Sequence, residues 1–475
     1  MAYTVNRSKL FLRIKPAENR VILIIGDVFA SFLALFLALV LWSIEPNEWL
    51  TFSWQFIIER PPFWFYLLPI LWIILLSGLY DHRKAKKRKD TISGISMSLI
   101  MSLILYLFVF FLSKPNSLPR LGVALFLIGS TIFTLLWRLV YIQIFTGSTF
   151  LRRVLIVGAG NSGTTLANIV KNSWPMPFHL IGFVDDDEAK IGTEVLGYPV
   201  LGGSGEVTRL IEENYISDVV FAISGEMKND LLDSLLHAEE IGVEVTTMPL
   251  IYEELLGRIP IFLLQPDWLL RTFIDQSHIN RFYEIGKRIM DIIGGLLGIL
   301  ILVFLLPIIM IGIVLGGKGP IFYQQIRLGK NGKEFKIIKF RSMNIDAEKD
   351  GKPRPALEND ERITKFGKFL RKSHLDEFPQ FINILKGEMS LVGPRSERPM
   401  IINELQKQIP FYRARLLAKP GLTGWAQVNY GYASNAEENA IKLEYDLYYI
   451  KHRNTMLDLS ILFQTVSDVF GLRGR

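Results

Sequence analysis

A chain of 475 residues is too long for one ordinary domain, so we expect two or three parts. Half of its residues are hydrophobic and 32 are phenylalanine, which indicates that part of the chain resides in a membrane. The absence of cysteine excludes disulfides and thiolate metal sites, and the net charge of +7 favours an acidic partner: nucleic acid, anionic lipid or a phosphorylated substrate.

Residues 1–20 are polar and basic, and we predict that they form a cytoplasmic N-terminal segment. We predict four transmembrane helices over residues 21–147, because four apolar runs there approach the length that a helix needs to span a bilayer. Lysine and arginine are concentrated in residues 1–20 and 81–90, which places both ends of this region in the cytoplasm. Asp27 lies near the basic end of the first run, which favours a role in helix packing. The four runs cover residues 21–41, 62–79, 95–112 and 121–145.

A soluble α/β pattern follows over residues 148–250. Gly158, Gly160 and Gly163 have the spacing G-x-G-x-x-G after an apolar run, and Asp185 lies near the end of the next predicted strand. We predict a Rossmann-like domain with a doubly wound parallel sheet. The three glycines and Asp185 are candidates for binding an NAD-like nucleotide, and the alternative is a fold retained for assembly or regulation.

Residues 251–285 are predicted to be a connector. The next apolar run, 292–315, carries no charge and is long enough to cross a bilayer, but cations flank it on both sides. Pro307 lies inside the run, and an internal proline removes a helical hydrogen bond and clashes with the preceding turn. We therefore predict a re-entrant helix that enters the membrane, breaks near Pro307 and returns to the same face.

Two adjacent carboxylates, Asp376 and Glu377, stand out in the soluble, basic region that continues to residue 475. Pro379 and Gly387 bracket a short apolar run after them, which predicts a short helix. A helix N-terminus favours negative charge, and cations lie on both sides of the pair in the sequence. This arrangement suits chemistry on a phosphate, and the alternative is a capped surface helix with ordinary salt bridges.

Residues 280–475 contain many separate short blocks that occur in a fixed order. These are Lys287-Arg288 with Asp291, the apolar run with Pro307, Gly319-Pro320 with Phe322, Gln325, Arg327 and Gly329, KFRSM (339–343), LDEFPQ (375–380), MSLVGPR (389–395), KPGLTGWAQVNYGY (419–432) and YDLYYI (445–450). With these blocks the region resembles the bacterial sugar transferase family, the monotopic phosphoglycosyl transferases. The four-span region and the Rossmann-like domain resemble the long-form members of that family, so the resemblance covers nearly the whole chain. The family usually continues VGPRP, and here Ser396 follows Arg395.

The resemblance implies transfer of a sugar 1-phosphate from a UDP-sugar to undecaprenyl phosphate, with release of UMP. Glucose or galactose is the expected sugar, and the product would start exopolysaccharide, capsule or O-antigen synthesis. The family forms a covalent aspartyl-phosphosugar intermediate. This implies that Asp376 is the nucleophile and that Glu377, with Asp376, holds Mg²⁺ or Mn²⁺.

Other residues are expected around this pair. Arg395 is the candidate clamp for phosphate oxygens, because guanidinium can bind them bidentately. Asp446 and Tyr449 either support the site or pack in the core. Further candidates for binding phosphate or substrate are Lys339, Arg341, Arg371, Thr423 and Gln427.

The expected fold class is a membrane protein with three parts: a four-helix transmembrane region, a Rossmann-like α/β domain, and an α+β catalytic domain over 286–475 that carries the re-entrant helix 292–315. The expected location is the bacterial inner membrane, with the catalytic domain on the cytoplasmic face. The resemblance implies membrane lipid and downstream glycosyltransferases as partners, a possible homodimer, and no nucleic acid. The alternative function, based on the glycine motif, is a membrane-attached NAD-dependent nucleotide-sugar dehydratase or epimerase.

Overall fold

The computed structural model describes residues 16–44, 51–114, 118–145, 151–223, 229–263, 281–344 and 360–470, apart from positions 361, 432 and 434. The chain divides into two compact units, Met1–Ile251 and Tyr252–Arg475. It is a mixed helical and α/β protein with a central sheet in the first unit. Most of the predicted basic N-terminal segment and residues 264–280 of the predicted connector lie outside the described residues.

The first unit begins with apolar helices. Three of them, α1 (Pro16–Ser43), α5 (Arg88–Leu112) and α6 (Arg120–Phe145), are long and apolar enough to cross a membrane. The second predicted span is shorter: a 3₁₀ turn, Phe63–Leu67, leads into α3, and a second 3₁₀ turn, Ser77–Tyr80, follows. The helices are α1 (Pro16–Ser43), α2 (Trp54–Glu59), α3 (Leu68–Leu75), α4 (His82–Ala85), α5 (Arg88–Leu112) and α6 (Arg120–Phe145).

A buried ion pair joins the first and last of these helices. Both side chains are fully buried, and two nitrogens of Arg138 donate to the two carboxylate oxygens of Asp27 at 3.2 and 2.6 Å. Arg138 also donates to the backbone carbonyl of Leu79. A buried charge is tolerated when it is paired and hydrogen-bonded. The pair packs α1 against α6, which confirms the helix-packing interpretation of Asp27.

A six-stranded sheet follows in the same unit, with strand order β3-β4-β2-β1-β5-β6. All neighbouring strands are parallel except β3 and β4. A helix lies between β1 and β2, between β4 and β5 and between β5 and β6, whereas the chain passes from β2 to β4 through the antiparallel β3. The alternation predicted from the sequence is confirmed. The strands are β1 (Arg153–Val157), β2 (His179–Val184), β3 (Glu194–Val195), β4 (Tyr198–Gly202), β5 (Asp218–Phe221) and β6 (Glu244–Thr247). The helices are α7 (Asn161–Lys171), α8 (Val207–Asn214), α9 (Asn229–Glu240) and α10 (Met248–Leu256).

The second unit combines helices with two small sheets. β7 and β8 form an antiparallel hairpin, and β9 pairs in parallel with β10. Its main core contains Met389, Val392, Trp425 and Leu447. The elements are α11 (Arg281–Leu315), β7 (Phe322–Leu328), β8 (Glu334–Phe340), α12 (Lys365–Lys372), α13 (Gln380–Lys386), β9 (Ser390–Val392), α14 (Pro399–Leu405), β10 (Gly421–Thr423), α15 (Trp425–Asn429), α16 (Ala436–His452) and α17 (Thr455–Phe470).

The long helix α11 runs through Pro307 without interruption, so the predicted break does not end the helix. Both halves of α11 contact the rest of the second unit. Gly298 lies so close to the ring of Phe381 that a Cβ would clash with it, and Gly312 lies equally close to Phe366. The return of the chain to one membrane face stays a prediction, and the contacts along both halves are the structural feature that bears on it.

Candidate active site

The two adjacent carboxylates lie in a 3₁₀ turn, Leu375–Glu377, directly before α13. His374 enters this turn in a left-handed conformation, with φ of 56°. Pro379 precedes the first residue of α13, and Gly387 ends that helix with φ of 83°, a conformation that glycine adopts readily. The short helix predicted from this proline and glycine is therefore confirmed.

Glu377 is held by two cations from distant parts of the chain. Lys339 Nζ lies 2.6 Å from Glu377 Oε1, and Arg395 donates to the same oxygen at 2.9 Å. Burial opposes ionisation of this carboxyl, but Arg395 and Lys339 outweigh it and hold its pKa well below the usual range. Glu377 is consequently an anion with a fixed orientation.

Asp376 differs from Glu377 in both its hydrogen bonding and the direction of its pKa shift. Its side chain is 9% exposed, and no described residue donates a hydrogen bond to its carboxylate. Burial and the neighbouring charge of Glu377 raise its pKa, while Lys339, Arg371 and His374 act in the other direction. A helix N-terminus alone would lower this pKa, so burial is the stronger influence here. The structure thus provides one anchored and one unanchored carboxylate.

Asn383 fixes α13, which follows the carboxylates, against the strand that carries Lys339. Its side-chain amide donates to the carbonyl of Lys336 at 2.9 Å and accepts from the backbone N–H of Ile338 at 3.2 Å. Asn383 is fully buried, so these bonds are protected from water. Sequence reasoning missed this role. The signal available was a lone amide in the apolar run FINIL, which requires partners when it is buried.

Arg395 is positioned through its backbone. Arg415 donates to the carbonyl of Arg395 at 3.2 Å. The same guanidinium is paired with Asp446 at 2.7 Å and donates to the Tyr412 hydroxyl at 2.8 Å. Asp446 and Arg415 are both buried. The supporting role considered for Asp446 therefore has a geometric basis, since it orients the arginine that holds the backbone of Arg395.

The start of α11 connects to the same elements. Asp291 Oδ1 accepts from the backbone N–H of Leu391 at 2.8 Å and from Ser390 Oγ at 2.9 Å. Arg288 donates to the last carbonyls of α13, those of Ile384 and Leu385, at 2.8 and 2.7 Å. These contacts attach the long apolar helix to the strand and helix on either side of Gly387.

Lys287 extends this attachment to α16 and α17. Its ammonium lies 2.9 Å from Asp458 Oδ2 and donates to the Tyr449 hydroxyl at 3.0 Å. Tyr449 in turn donates to Asp458 Oδ1 at 2.8 Å. Tyr449 is thus part of a buried polar network rather than a simple core aromatic.

The remaining predicted substrate residues are less closely associated with the carboxylates. Arg371 donates to Ser342 Oγ at 2.9 Å and acts on Asp376 through its charge. Arg341 donates to carbonyls at the end of α11, including those of Ile313 and Gly317, so its guanidinium caps that helix.

Thr423 and Gln427 have partners within their own neighbourhood. The hydroxyl of Thr423 lies 2.6 Å from that of Thr465, and Gln427 donates to the carbonyl of Leu422 at 3.2 Å. Neither contacts the carboxylate pair in the described residues. The structure therefore brings Lys339, Arg395 and Arg371 to the pair, and the substrate roles of Thr423 and Gln427 stay predictions.

The glycine turn of the first unit has the expected shape. Gly158 has φ of 111°, and a Cβ at Gly163 would lie 2.0 Å from the carbonyl oxygen of Gly158. A Cβ at Gly160 would meet nothing within 4 Å. The carboxylate of Asp185 accepts from the backbone N–H of Ala159 at 2.8 Å and from Lys190 at 3.2 Å. Binding of an NAD-like nucleotide here stays a prediction.

A divalent metal fits the carboxylate pair only with help from a substrate. No group of three or more His, Cys, Asp or Glu side chains that could hold a metal occurs among the described residues. Mg²⁺ commonly uses one or two carboxylates and completes its coordination with substrate phosphates and water. Asp376 and Glu377 supply that donor set, since Lys339 and Arg395 both bind a single oxygen of Glu377.

Two family descriptions match the chain. Residues 282–471, which include the carboxylate pair and its cations, match the family described as bacterial sugar transferase. Residues 76–249, which include the glycine turn, match the family described as CoA-binding domain. The first match agrees with the resemblance inferred from the sequence blocks.

Three curated relatives are named for the same reaction class. The UDP-N-acetylgalactosamine-undecaprenyl-phosphate N-acetylgalactosaminephosphotransferase of Aeromonas hydrophila is 40% identical over 43% of this chain and 50% of its own length. The UDP-glucose:undecaprenyl-phosphate glucose-1-phosphate transferase of Xanthomonas campestris pv. campestris is 29% identical over 67% of each chain. The UDP-galactose-lipid carrier transferase of Erwinia amylovora is 30% identical over 67% of this chain and 68% of its own length. The chain thus spans half of the first relative and about two thirds of the others, and the three names carry three different sugars.

Proposed function

This chain belongs to the bacterial sugar transferase family, and we propose that it transfers a hexose 1-phosphate from a UDP-sugar to undecaprenyl phosphate, releasing UMP. Glucose or galactose is the proposed sugar, and the lipid-linked product starts exopolysaccharide, capsule or O-antigen synthesis. The names of the relatives support the reaction class. None of these three names describes a nucleotide-sugar dehydratase or epimerase, so that alternative is not favoured.

The observation that carries the proposal is the inequality of the two carboxylates. Glu377 is bonded to Lys339 and Arg395, whereas Asp376 receives no hydrogen bond from the described residues. A carboxylate without hydrogen bonds keeps its lone pairs for attack, and an anchored one is better suited to orient other groups. We therefore assign the nucleophile to Asp376 and the anchoring role to Glu377.

In the first step, an oxygen of Asp376 forms a bond to the β-phosphorus of the UDP-sugar. The bond from that phosphorus to the bridging oxygen breaks, and the bridging oxygen leaves with UMP. The sugar phosphate remains on Asp376 as a mixed anhydride. In the second step, an oxygen of undecaprenyl phosphate attacks the same phosphorus, and the carboxylate of Asp376 leaves unchanged. Two steps allow a water-soluble and a lipid-bound reactant to use one site in turn.

Attack by an anion on a diphosphate requires positive charge nearby. Lys339 and Arg395 supply two charges within hydrogen-bonding distance of Glu377, and Arg371 acts on Asp376 from the end of α12. Mg²⁺ held by Asp376 and Glu377 would offset further charge on the phosphate oxygens. Lys339 and Arg371 also offset part of the rise in the pKa of Asp376 that burial and Glu377 cause, which increases the ionised fraction of Asp376.

Membrane residence follows from α1, α5, α6 and α11, which are long and apolar enough to cross a bilayer. We place the protein in the bacterial inner membrane with the second unit on the cytoplasmic face. The length of α11 allows a single crossing, but α11 contacts its own unit along both halves, at Gly298 and at Gly312. These contacts support a re-entrant helix with both ends on one side.

Labelling of a cysteine placed at Lys318 tests this arrangement, because the chain contains no native cysteine. A reagent that cannot cross the membrane is expected to react with Lys318→Cys from the cytoplasmic side only. Reaction from the outside would show that α11 crosses the membrane. A homodimer and contacts with downstream glycosyltransferases remain expectations from the family.

The reaction itself is tested with a panel of radiolabelled UDP-sugars and undecaprenyl phosphate. The wild-type protein is expected to release UMP with one hexose, and without lipid it should retain labelled phosphosugar on the protein. Asp376→Ala should do neither. If Asp376→Asn still acquires the label, the assignment of the nucleophile is wrong.

A further inference from the structure

The edge of the six-stranded sheet where β1 begins is joined by a short piece of chain to an apolar helix. α6 ends at Phe145 and is long and apolar enough to cross a membrane, and β1 begins at Arg153. An extended chain gains at most ~3.5 Å per residue, so Arg153 lies within roughly 30 Å of the end of α6. The start of β1 is therefore confined to the neighbourhood of the membrane surface from which α6 emerges.

Two loops are held at the same edge of the sheet. β2 and β5 run parallel to β1 on either side of it, so the loops that precede them reach this edge as well. The backbone N–H of His179 donates to the carbonyl of Arg152 at 2.8 Å, and that of Ser217 donates to the carbonyl of Arg153 at 2.9 Å. We call residues 152–153, 173–178 and 214–217 the N-terminal edge of the sheet.

Large apolar side chains are exposed on both loops of the N-terminal edge. Trp174 is 85% exposed and Met176 is 40% exposed on the loop before β2, and Tyr215 is 65% exposed before β5. Phe178 of the first loop is fully buried, so this loop is attached to the core without Trp174. Tryptophan is highly buried on average, and an exposed apolar surface of this kind marks a site of interaction.

The charges near the N-terminal edge indicate which kind of partner fits it. The guanidinium of Arg152 lies 3.5 Å from Asp218, so its charge is paired within the domain. Glu212 and Glu213 are exposed on the last turn of α8, just before Tyr215, and they oppose attraction to anionic headgroups. Tryptophan and tyrosine favour the headgroup layer of a bilayer through their amphipathic rings, whatever the charge of the lipid.

We propose that Trp174, Met176 and Tyr215 insert into the headgroup layer of the membrane and dock the N-terminal edge of the sheet on it. The tether from α6 favours lipid over a second copy of the chain, because it keeps this edge near the membrane at any protein concentration. The glycine turn follows β1 at its other end and therefore faces away from the membrane. This inference rests on the membrane residence of α6 and is independent of the transfer reaction.

The test uses the full chain in bilayers of zwitterionic lipid, with a nitroxide spin label on a single introduced cysteine, since the chain has no native cysteine. Met176→Cys reports on the N-terminal edge and leaves both aromatic side chains in place. Glu188→Cys is the matched control, because Glu188 is exposed beyond the other end of β2. The measured quantity is the ratio of collisions with oxygen, which dissolves in lipid, to collisions with a water-soluble nickel complex.

The ratio is expected to be several-fold higher at Met176→Cys than at Glu188→Cys. Adding Trp174→Ala and Tyr215→Ala to Met176→Cys should lower the ratio to that of the control. Because both aromatic side chains are exposed, hydrogen exchange of the β1 and β2 amides should not change in this variant. Unchanged exchange separates the loss of docking from a loss of folding.

Equal ratios at Met176→Cys and Glu188→Cys in the otherwise native chain would overturn the proposal. A label at Met176→Cys that is shielded from both reagents and broadened by a second label would assign the edge to contact between two copies, and would overturn it too. The same holds for a high ratio that appears only with anionic lipid, because docking would then depend on charge. Release of UMP is not part of this readout, so failure of the proposed transfer reaction leaves the test intact.

Discussion

Each unit contains an acidic turn that the sequence marks as a ligand site, and the two turns differ in what surrounds the carboxylates. In the first unit, Asp185 accepts hydrogen bonds from the backbone of Ala159 and Asp187 and from Lys190. In the second unit, Asp376 has no such bond from the described residues, and its neighbour Glu377 takes the cations. The carboxylate of Asp185 thus accepts hydrogen bonds from its surroundings, whereas that of Asp376 accepts none from the described residues.

The pKa shifts follow from this difference. Burial opposes ionisation of Asp185, but the two backbone N–H groups and Lys190 outweigh it and lower its pKa. Burial and Glu377 raise the pKa of Asp376. A carboxylate stabilised by the backbone is a poor nucleophile, whereas a desolvated one gains reactivity at the expense of stability. The comparison supports our proposal that covalent chemistry takes place in the second unit and that the first unit has a structural or binding role.

The largest expected effect is the loss of the proposed nucleophile, Asp376. Asp376→Asn keeps the size of the side chain but removes its charge, and it should lower the rate of UMP release by roughly a thousandfold or more. Asp185→Asn is the matched variant in the other turn and should leave that rate within about twofold, since its hydrogen bonds serve the glycine turn. Comparable losses in both variants would contradict the division of roles between the units.

Removal of the Arg395 charge should have the next largest effect on activity. Arg395→Gln eliminates the charge that Glu377 and the substrate phosphates share, and we expect kcat/KM to fall roughly a hundredfold. Arg413→Gln changes an exposed arginine of the same unit and serves as the control. A loss confined to protein stability, with kcat/KM unchanged in the folded fraction, would assign Arg395 a structural role only.

The sequence predicts these turns well because their signals are local. The glycine spacing at Gly158–Gly163 reports a close approach of helix and strand, and Pro379 with Gly387 marks the limits of α13. The adjacent acids are visible for the same reason. The reaction class was accessible through the many matching blocks, since each of them is short and contiguous.

The partners of the acids are not local, and they were only partly predicted. Lys339 and Arg395 reach Glu377 from 38 and 18 positions away. The sequence pattern does not tell which of several cations contacts the carboxylates. Arg341 is an example: it is a predicted substrate-binding residue, but its guanidinium binds a carbonyl at the end of α11. The continuous α11 likewise reflects a tertiary effect, since packing along both halves compensates the hydrogen bond that Pro307 removes.

The pH dependence sharpens the comparison further. The attack that we propose for Asp376 requires an ionised carboxylate, so activity should fall as the pH falls through the pKa of Asp376. Because this pKa is raised, the acidic limb should lie at higher pH than for an ordinary aspartate. Arg371 lowers this pKa by its charge. Arg371→Gln should therefore move the acidic limb of kcat/KM, which reports the pKa values of the free enzyme, to higher pH, measured with the UDP-sugar well below its KM.

Lys372→Gln is the control for this shift, because Lys372 is exposed on the same helix and is not among the largest influences on the pKa of Asp376. An equal shift of the acidic limb in both variants would show that the overall positive charge of the second unit, and not Arg371 in particular, lowers the pKa of Asp376. A shift of the limb to lower pH in Arg371→Gln would show that a different group controls it.

The smallest effect on transfer is expected from the glycine turn itself. A Cβ at Gly163 would overlap the carbonyl oxygen of Gly158, whereas a Cβ at Gly160 would meet open space. Gly163→Ala should therefore destabilise β1 and α7 by about 1–3 kcal/mol, measured by hydrogen exchange of their amides, and Gly160→Ala should not. Both variants should release UMP at the wild-type rate. A phosphate of a bound nucleotide would approach the backbone in the space beside Gly160. If Gly160→Ala loses a bound nucleotide but keeps the hydrogen-exchange protection of β1 and α7, the turn binds a ligand in addition to packing a helix.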